Sequence, residues 1–142
     1  GLRSQLAGED RDEIERILAL TGLLSHADLP ASTLAHGQKQ WLELGMTILQ
    51  KPKLLMVDEP AAGMSERERE ATGLLLEEIA KDCSVLVVEH DMHFVKRFAR
   101  SVSVLHEGRI ICEGSFDYVS SQEEVLDVYL GRGKSSKGER NA

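Results

Sequence analysis

The sequence is poor in the features that mark several classes of protein. Aromatic residues make up 4% of the 142 residues, and the only two cysteines are Cys83 and Cys112. Two isolated thiols in apolar stretches are typical of small core residues in a reduced cytosolic protein rather than of a disulfide scaffold. No apolar run approaches the roughly eighteen residues of a membrane helix, and no secretory signal peptide is recognisable.

Basic residues are also scarce relative to acidic ones. Seventeen lysines and arginines stand against 24 aspartates and glutamates, which gives a net charge of −7. Because a protein that holds nucleic acid through its phosphates needs a basic face, this balance argues against a nucleic-acid partner. The remaining composition, 42% hydrophobic and 29% charged, predicts one globular domain with its own core.

The pattern of apolar residues predicts alternating helices and strands. Helical spacing occurs over residues 9–21 and again from Gly37 until Pro52 ends the helix, with a loop over 23–35 between them. The two apolar runs without alternation are typical of strands buried on both faces of a parallel sheet, and they are residues 54–57 and 85–88. This order predicts an α/β layer.

Further elements follow from capping and turn signals. The S-x-x-E pattern of Ser65 to Glu68 predicts a capping box, which opens a helix that ends near Lys81. The later elements expected from the sequence are a helix at 92–99, a hairpin of 101–106 and 109–112, and a last helix capped by 121–124. The residues from 131 to 142 are rich in Gly, Ser and charge, which predicts a disordered tail.

Polar residues follow both predicted strands. Asp58 and Glu59 come directly after the first strand, and His90 comes after the second. In open α/β sheets ligands bind at the carboxyl ends of the strands, so these side chains converge if the strands are neighbours. One carboxylate then suits Mg²⁺, the second suits activation of a water, and the histidine suits a transferring phosphoryl group. The alternative is that each is a solvated strand-to-loop residue.

Pro60 bears on how the two carboxylates are placed. Successive side chains of a strand point to opposite faces, so Asp58 and Glu59 approach one phosphate only if the chain turns at the strand end. Pro60 cannot continue the ladder, and it predicts extended backbone geometry at Glu59.

Five short stretches of the chain occur in a characteristic order. They are residues 34–38 (LAHGQ), 54–60 (LLMVDEP), 61–65 (AAGMS), His90 and residues 104–110 (VLHEGRI). In that order they resemble the signature motif, the Walker B motif, the D-loop, the switch histidine and the terminal hairpin of ATP-binding-cassette (ABC) ATPases. The resemblance implies the C-terminal portion of a P-loop NTPase domain. That fold is α/β, with a parallel β-sheet core, helices, a terminal β-hairpin and a helical segment that bears the signature motif.

The resemblance also implies roles for individual residues. Asp58 would position Mg²⁺ through a water molecule, and Glu59 would polarise the water that attacks the γ-phosphate of ATP. His90 would sense that phosphate, so Glu59 and His90 are the expected catalytic residues. The other residues expected at bound ATP belong to the signature motif, which would cap nucleotide on a second subunit, and to the D-loop: Leu34, Ala35, His36, Gly37, Gln38, Gly63, Met64 and Ser65.

The chain departs from the family pattern at three of these positions. Ala35 and His36 stand where the usual signature has Ser and Gly, and Ala35 has no hydroxyl to donate to a phosphate. His36 either replaces that contact or faces solvent. Ser65 stands where many relatives have Asp, and its predicted capping role is a sufficient structural reason for it.

No phosphate loop of the form G-x-x-x-x-G-K-[ST] occurs in the sequence. Gly133 to Ser135 imitate its end, but Val128 occupies the position of the first glycine. The Q-loop and the base-stacking aromatic strand are not found either. We therefore expect part of a longer ATPase, arising by cloning, proteolysis or gene truncation, that is inactive by itself. Its expected divisions are residues 1–36 leading into the signature motif, 37–130 of the ATPase core, and the tail.

Shorter strings narrow the resemblance. Residues 58–64 and 88–92 (VEHDM) resemble uptake ATPases for branched-chain amino acids and urea, and residues 36–43 (HGQKQWLE) resemble the urea branch. This implies a cytoplasmic subunit on the inner face of the plasma membrane. Its partners would be a second ABC ATPase subunit, membrane permeases and, indirectly, a periplasmic binding protein, with no nucleic acid. The alternatives are an ABC ATPase that acts on nucleic acid or the ribosome, and a non-enzymatic binding module.

Overall fold

A computed structural model describes residues 8–129 of the chain, which divides into two compact units on either side of the His90–Asp91 bond. The described part of the first unit has three helices, two strands and two short 3₁₀ turns: α1 (Gly8–Leu20), the turns Leu24–His26 and Ala31–Thr33, α2 (His36–Ile48), β1 (Leu54–Asp58), α3 (Glu66–Ile79) and β2 (Ser84–Val88). Within residues 8–129, no helix has the length and apolar character needed to cross a bilayer.

The two strands of the first unit are parallel neighbours, as the sequence predicts. Leu54 lies opposite Ser84, and Asp58 lies opposite Val88 at the far end of the ladder. The carboxyl ends of β1 and β2 therefore meet at one edge, which is the arrangement required for a shared site.

The prediction that both strands are buried on both faces is wrong. Leu55 on one face of β1 is 4% exposed, whereas Met56 on the other face is 67% exposed. The large apolar side chains on that exposed face are Leu54, Met56, Leu86 and Val88. An uninterrupted apolar run predicts cover on both faces, and the described residues cover only one.

Helix α2 packs closely against its neighbours in the first unit. A Cβ at Gly45 would lie 3.0 Å from Cγ2 of Ile17 on α1, so the absence of a side chain permits this approach. On the α3 side, the Trp41 indole N–H donates to Oγ1 of the fully buried Thr72 over 2.9 Å. The Thr72 hydroxyl in turn donates to the Glu68 carbonyl, also over 2.9 Å.

The end of α2 and the start of α3 are each fixed by local hydrogen bonds. Helix α2 ends at Ile48, before Pro52, because a turn closes with the N–H of Lys51 donating to the Ile48 carbonyl at 2.8 Å. Lys51 adopts a φ of +51°, which no helix can continue. The predicted capping box of α3 is confirmed, since Ser65 Oγ accepts from the Glu68 N–H and Glu68 Oε2 accepts from the Ser65 N–H.

The described part of the second unit contains α4 (Met92–Phe98), β3 (Val102–His106), β4 (Arg109–Gly114), α5 (Phe116–Ser120) and α6 (Glu123–Tyr129). Strands β3 and β4 form the predicted antiparallel hairpin, with a register shift after Val104. Asp91 caps α4, because its Oδ1 accepts from the N–H groups of His93 and Phe94. The predicted tail at 131–142 lies outside the described residues.

Two predictions for the second unit and the thiols need correction. Ser121 does not cap the last helix; its hydroxyl donates to the Tyr118 carbonyl at 2.7 Å and so closes α5, a helix that the sequence analysis missed. Cys83 and Cys112 are both free thiols, but each is half-buried and lies outside the core.

Candidate active site at the strand ends

Glu59 is held by its backbone at the point where β1 stops. Its N–H donates to the Val88 carbonyl at 2.8 Å, and its own carbonyl accepts from the Ala62 N–H at 3.1 Å. Its φ is +46°, a region that non-glycine residues rarely adopt and that costs about 1–3 kcal/mol. The predicted extended geometry is therefore wrong, because the turn over residues 59–62 outweighs the preference imposed by Pro60.

The Glu59 side chain contacts the histidine of the neighbouring strand end. Oε1 of Glu59 lies 3.1 Å from Nδ1 of His90, and the two side chains are 50% and 79% exposed. Because a carboxylate only accepts hydrogen bonds, the proton of this contact lies on Nδ1. The opposite ring nitrogen, Nε2, then donates to a phosphate oxygen only when the imidazole is protonated.

Glu89 is a functional candidate that the sequence analysis did not assign. Its side chain is 4% exposed, although it carries a carboxylate. Oε1 accepts from the Ala61 N–H at 3.3 Å, and Oε2 accepts from the N–H of His90 at 3.0 Å. The signal was its position directly after β2, equivalent to that of Glu59 after β1. We call Asp58, Glu59, Glu89 and His90 the strand-end group.

Asp58 is exposed and ends β1. Among residues 8–129, no three His, Cys, Asp or Glu side chains are grouped so that they could hold a metal ion. Mg²⁺ usually keeps several water ligands and takes one or two carboxylates together with substrate phosphates. A single exposed carboxylate therefore fits a magnesium ion bound with its substrate and does not form a closed protein cage.

The signature-like residues lie at the start of α2. Leu34 is buried, and the Ala35 N–H donates to Oε1 of Gln38 at 3.0 Å. Ala35 has no side-chain oxygen to return that bond, so only half of a capping box forms. Nε2 of Gln38 also lies 3.3 Å from Nε2 of His26. The polar end of Gln38 is thus engaged by Ala35 of its own segment and by His26 of the 3₁₀ turn Leu24–His26.

The D-loop-like residues come together with this helix start. A Cβ at Gly63, whose φ is +70°, would lie 3.7 Å from Nε2 of His36, so the His36 ring lies beside this turn. Met64 is buried, with its sulfur 3.2 Å from the hydroxyl oxygen of Thr72, and Ser65 caps α3. We call residues 34–38 and 63–65 the helix-start group.

The carboxylate of Glu68 lies beside the helix-start group and is hydrogen-bonded to Ser65 of that group. The Ser65 hydroxyl, followed by the Ser65 N–H, lowers the pKa of Glu68 below its usual value, and His36 adds a smaller effect. Glu68 is also close to the signature-like segment, because a Cβ at Gly37 would lie 3.0 Å from its Oε1. The starts of α2 and α3 are thus packed together.

Known proteins resemble this chain in sequence. The ABC transporter family matches residues 2–62. The high-affinity branched-chain amino acid transport ATP-binding protein LivG of Escherichia coli K12 is 33% identical over 120 residues, which are 83% of this chain and 46% of LivG. BraF of Pseudomonas aeruginosa, which bears the same description, is 32% identical over 77% of this chain and 44% of its own.

Solved structures agree. The ATP-binding cassette MJ1267 in its ADP conformation superposes with a TM-score of 0.78 at 28% identity, over 89% of this chain and 52% of that one. The fold is that of part of an ABC ATPase domain. The protein cbiO1 from Clostridium perfringens, part of the ABC transporter complex cbiONQ, gives a TM-score of 0.75 at 29% identity over 89% of this chain and 53% of its own. This chain spans about half the length of these ABC relatives.

Proposed function

We propose that this chain is part of an ABC importer ATPase, which powers uptake of branched-chain amino acids or urea. The strand-end group of this chain would activate the water that hydrolyses ATP. The observation that carries the proposal is the contact between Glu59 and His90 at the ends of two parallel strands. Similarity to LivG and BraF supports branched-chain amino acids. Support for urea comes from the sequence: residues 58–64 and 88–92 resemble uptake ATPases for both substrates, and residues 36–43 resemble the urea branch.

The reaction proposed is hydrolysis of the γ-phosphate of ATP. A water held by Glu59 attacks the γ-phosphorus, the bond to the ADP oxygen breaks, and the water proton passes to Glu59, leaving ADP and inorganic phosphate. The hydrogen bonds of the Glu59 backbone fix where its carboxylate starts, so little reorganisation is needed. His90, as an imidazolium, donates from Nε2 to a phosphate oxygen while Nδ1 keeps its bond to Glu59.

Asp58 is the residue proposed to hold Mg²⁺, through water. The ion supplies charge neutralisation at the phosphates when it is bound. Asp58 lies one residue before Glu59, at the last position of the β1 ladder. Because the chain turns after Asp58, the two neighbouring carboxylates are proposed to have different roles. The Asp58 carboxylate belongs to the strand, whereas the Glu59 carboxylate belongs to the turn after it.

The helix-start group is proposed to act on ATP bound by a second ABC ATPase subunit. The first turn of α2 offers backbone N–H groups without intrahelical partners, and the helix dipole favours a phosphate there. His36 and Gly63 lie side by side at this helix start, where both would face that nucleotide. Further proposed partners are membrane permeases and, through them, a periplasmic binding protein, with the ATPase on the cytoplasmic face of the membrane.

The experiment that tests this function compares the 142-residue chain with the complete protein that contains it. We expect the complete protein to hydrolyse ATP with Mg²⁺ at about 1–100 s⁻¹. The chain alone should show negligible turnover, because the phosphate loop that holds the β- and γ-phosphates is absent from its sequence. Vesicles containing the complete transporter should then take up leucine or urea in an ATP-dependent way. If they take up neither compound, the substrate assignment is wrong.

A further inference from the structure

We propose that Glu89 is a positioning residue for ATP hydrolysis, which joins the turn carrying Glu59 to the backbone of His90. The inference rests on the proposed function. Its basis is one buried carboxylate that accepts a hydrogen bond from each of the two segments. The Glu89 side chain is 4% exposed, so the role assigned to it is to hold other groups in place.

The first bond fixes the turn after β1. Pro60 has no N–H, and the turn over residues 59–62 uses the Ala62 N–H for its closing bond to the Glu59 carbonyl. The Ala61 N–H is left over, and Ala61 is buried, so this donor needs a partner inside the protein. Oε1 of Glu89 supplies that partner at 3.3 Å.

The second bond fixes the residue after β2. Oε2 of Glu89 accepts from the His90 N–H at 3.0 Å, and the same oxygen lies 3.9 Å from Nδ1 of the His90 ring. That ring nitrogen is bonded to Glu59 at 3.1 Å. Glu89 is therefore bonded to the backbone of His90 and, through the Ala61 N–H, to the turn that carries Glu59.

The chemistry of the two donors explains why a carboxylate is needed. Both are backbone N–H groups, and a carboxylate offers an acceptor oxygen to each. The amide of a glutamine is nearly the same shape but offers one oxygen, and its NH₂ would face the second N–H group. Burying a carboxylate is costly unless hydrogen bonds compensate for it, which indicates that the position requires both acceptors.

The test is a double-mutant cycle on the complete ATPase. We expect Glu89→Gln to lower kcat by about 10–100-fold, with KM for ATP changed less than about threefold, because it displaces the reacting groups without touching ATP. In a Glu59→Gln background the same change should cost less than about threefold, since the group it positions is already gone. Glu78→Gln is the matched control and should leave kcat unchanged, because it removes an exposed carboxylate at the end of α3 that pairs with Lys81 beyond the helix.

Equal losses in both backgrounds, or a raised KM with unchanged kcat, would overturn the positioning role. A second measurement does not depend on turnover. Amide hydrogen exchange at Ala61 and His90 should accelerate by about tenfold or more in Glu89→Gln, and unchanged exchange at both would also overturn it. If the wild-type protein hydrolyses no ATP, the proposed function fails, while the exchange experiment still decides whether Glu89 joins the two segments.

Discussion

The strand-end group and the helix-start group lie in the same unit of the chain, yet they use their polar atoms differently. At the strand ends, side chains of Glu59, Glu89 and His90 contact one another or each other's backbone. At the helix starts, Ser65 and Gln38 use their polar atoms to cap their own helices. The first region is thus the one proposed to carry out chemistry within one chain. The second is assembled for rigidity, and its outward face is proposed to act on a neighbouring subunit.

The largest effect that separates the two regions is expected for Glu59→Gln in the complete ATPase. The substitution keeps shape and hydrogen bonding but removes the base, so turnover should fall by about 10²–10⁴-fold. ATP affinity should hold or rise, because one negative charge near the phosphates is lost. The measurement is a pair of ATP-binding and steady-state turnover assays.

Asp58→Asn is the matched comparison for that experiment. It changes a neighbouring carboxylate by the same chemistry, and it should weaken Mg²⁺-dependent ATP binding. Near-normal turnover in Glu59→Gln, or loss of ATP binding equal to that of Asp58→Asn, would contradict the division of roles. A large fall in the thermal stability of Glu59→Gln would contradict the view that this region serves chemistry.

The strand-end group also shows how far the sequence predicts the site. Neighbouring parallel strands bring Glu59 and His90 together, and this follows from two apolar runs that each end in polar residues. The left-handed backbone of Glu59 does not follow from the sequence, because the local effect of Pro60 favours extended geometry and is overridden by hydrogen bonds to Val88 and Ala62. The position of Glu89 after β2 can be read from the sequence, but its bond to the Ala61 N–H depends on the same turn and is seen only in the structure.

The fold shows the same limit at larger scale. Continuous apolar runs correctly predict parallel strands. They also predict that other elements pack on both faces of each strand, which is the situation in a complete sheet. The described residues leave Met56 and Leu86 exposed. At the helix ends, local signals succeed where one cap is available, as at Ser65, and fail at Ser121, where the nearby Tyr118 carbonyl competes for the hydroxyl.

A smaller effect, on stability instead of turnover, is expected for Thr72→Val on α3, whose hydroxyl lies 3.2 Å from the sulfur of Met64 in the helix-start group. The change keeps the shape of the side chain but leaves the Trp41 N–H at the α2–α3 junction without its acceptor. We expect the free energy of unfolding to fall by about 1–3 kcal/mol, measured by denaturant titration. Thr47→Val on α2 removes an exposed hydroxyl that bonds the Glu43 carbonyl and should change stability by less than about 0.5 kcal/mol. Equal effects of the two would show that the junction is not rigidified by this bond.

The smallest effect is expected for Ser65→Ala, which removes the N-cap of α3. Loss of a serine cap costs about 0.5–2 kcal/mol, measured as a lower free energy of unfolding near pH 7. The Ser65 hydroxyl also makes the largest contribution to lowering the pKa of Glu68 below 4.5. Because the folded-state pKa is the lower one, this contribution to stability is present above about pH 4.5 and is lost as the pH falls through the folded-state pKa.

The pH dependence sharpens that last prediction. The stability difference between wild type and Ser65→Ala should narrow between pH 7 and pH values below 4.5, since protonation of Glu68 removes part of what the serine stabilises. Ser103→Ala in the β3–β4 hairpin is a suitable control, because Ser103 bonds a glutamate, Glu113, at 2.7 Å without capping a helix. It should change stability by less than about 0.5 kcal/mol. A difference for Ser65→Ala that stays constant or widens on acidification would show that the cap acts without Glu68, and that charge is not part of how the helix-start region is held together.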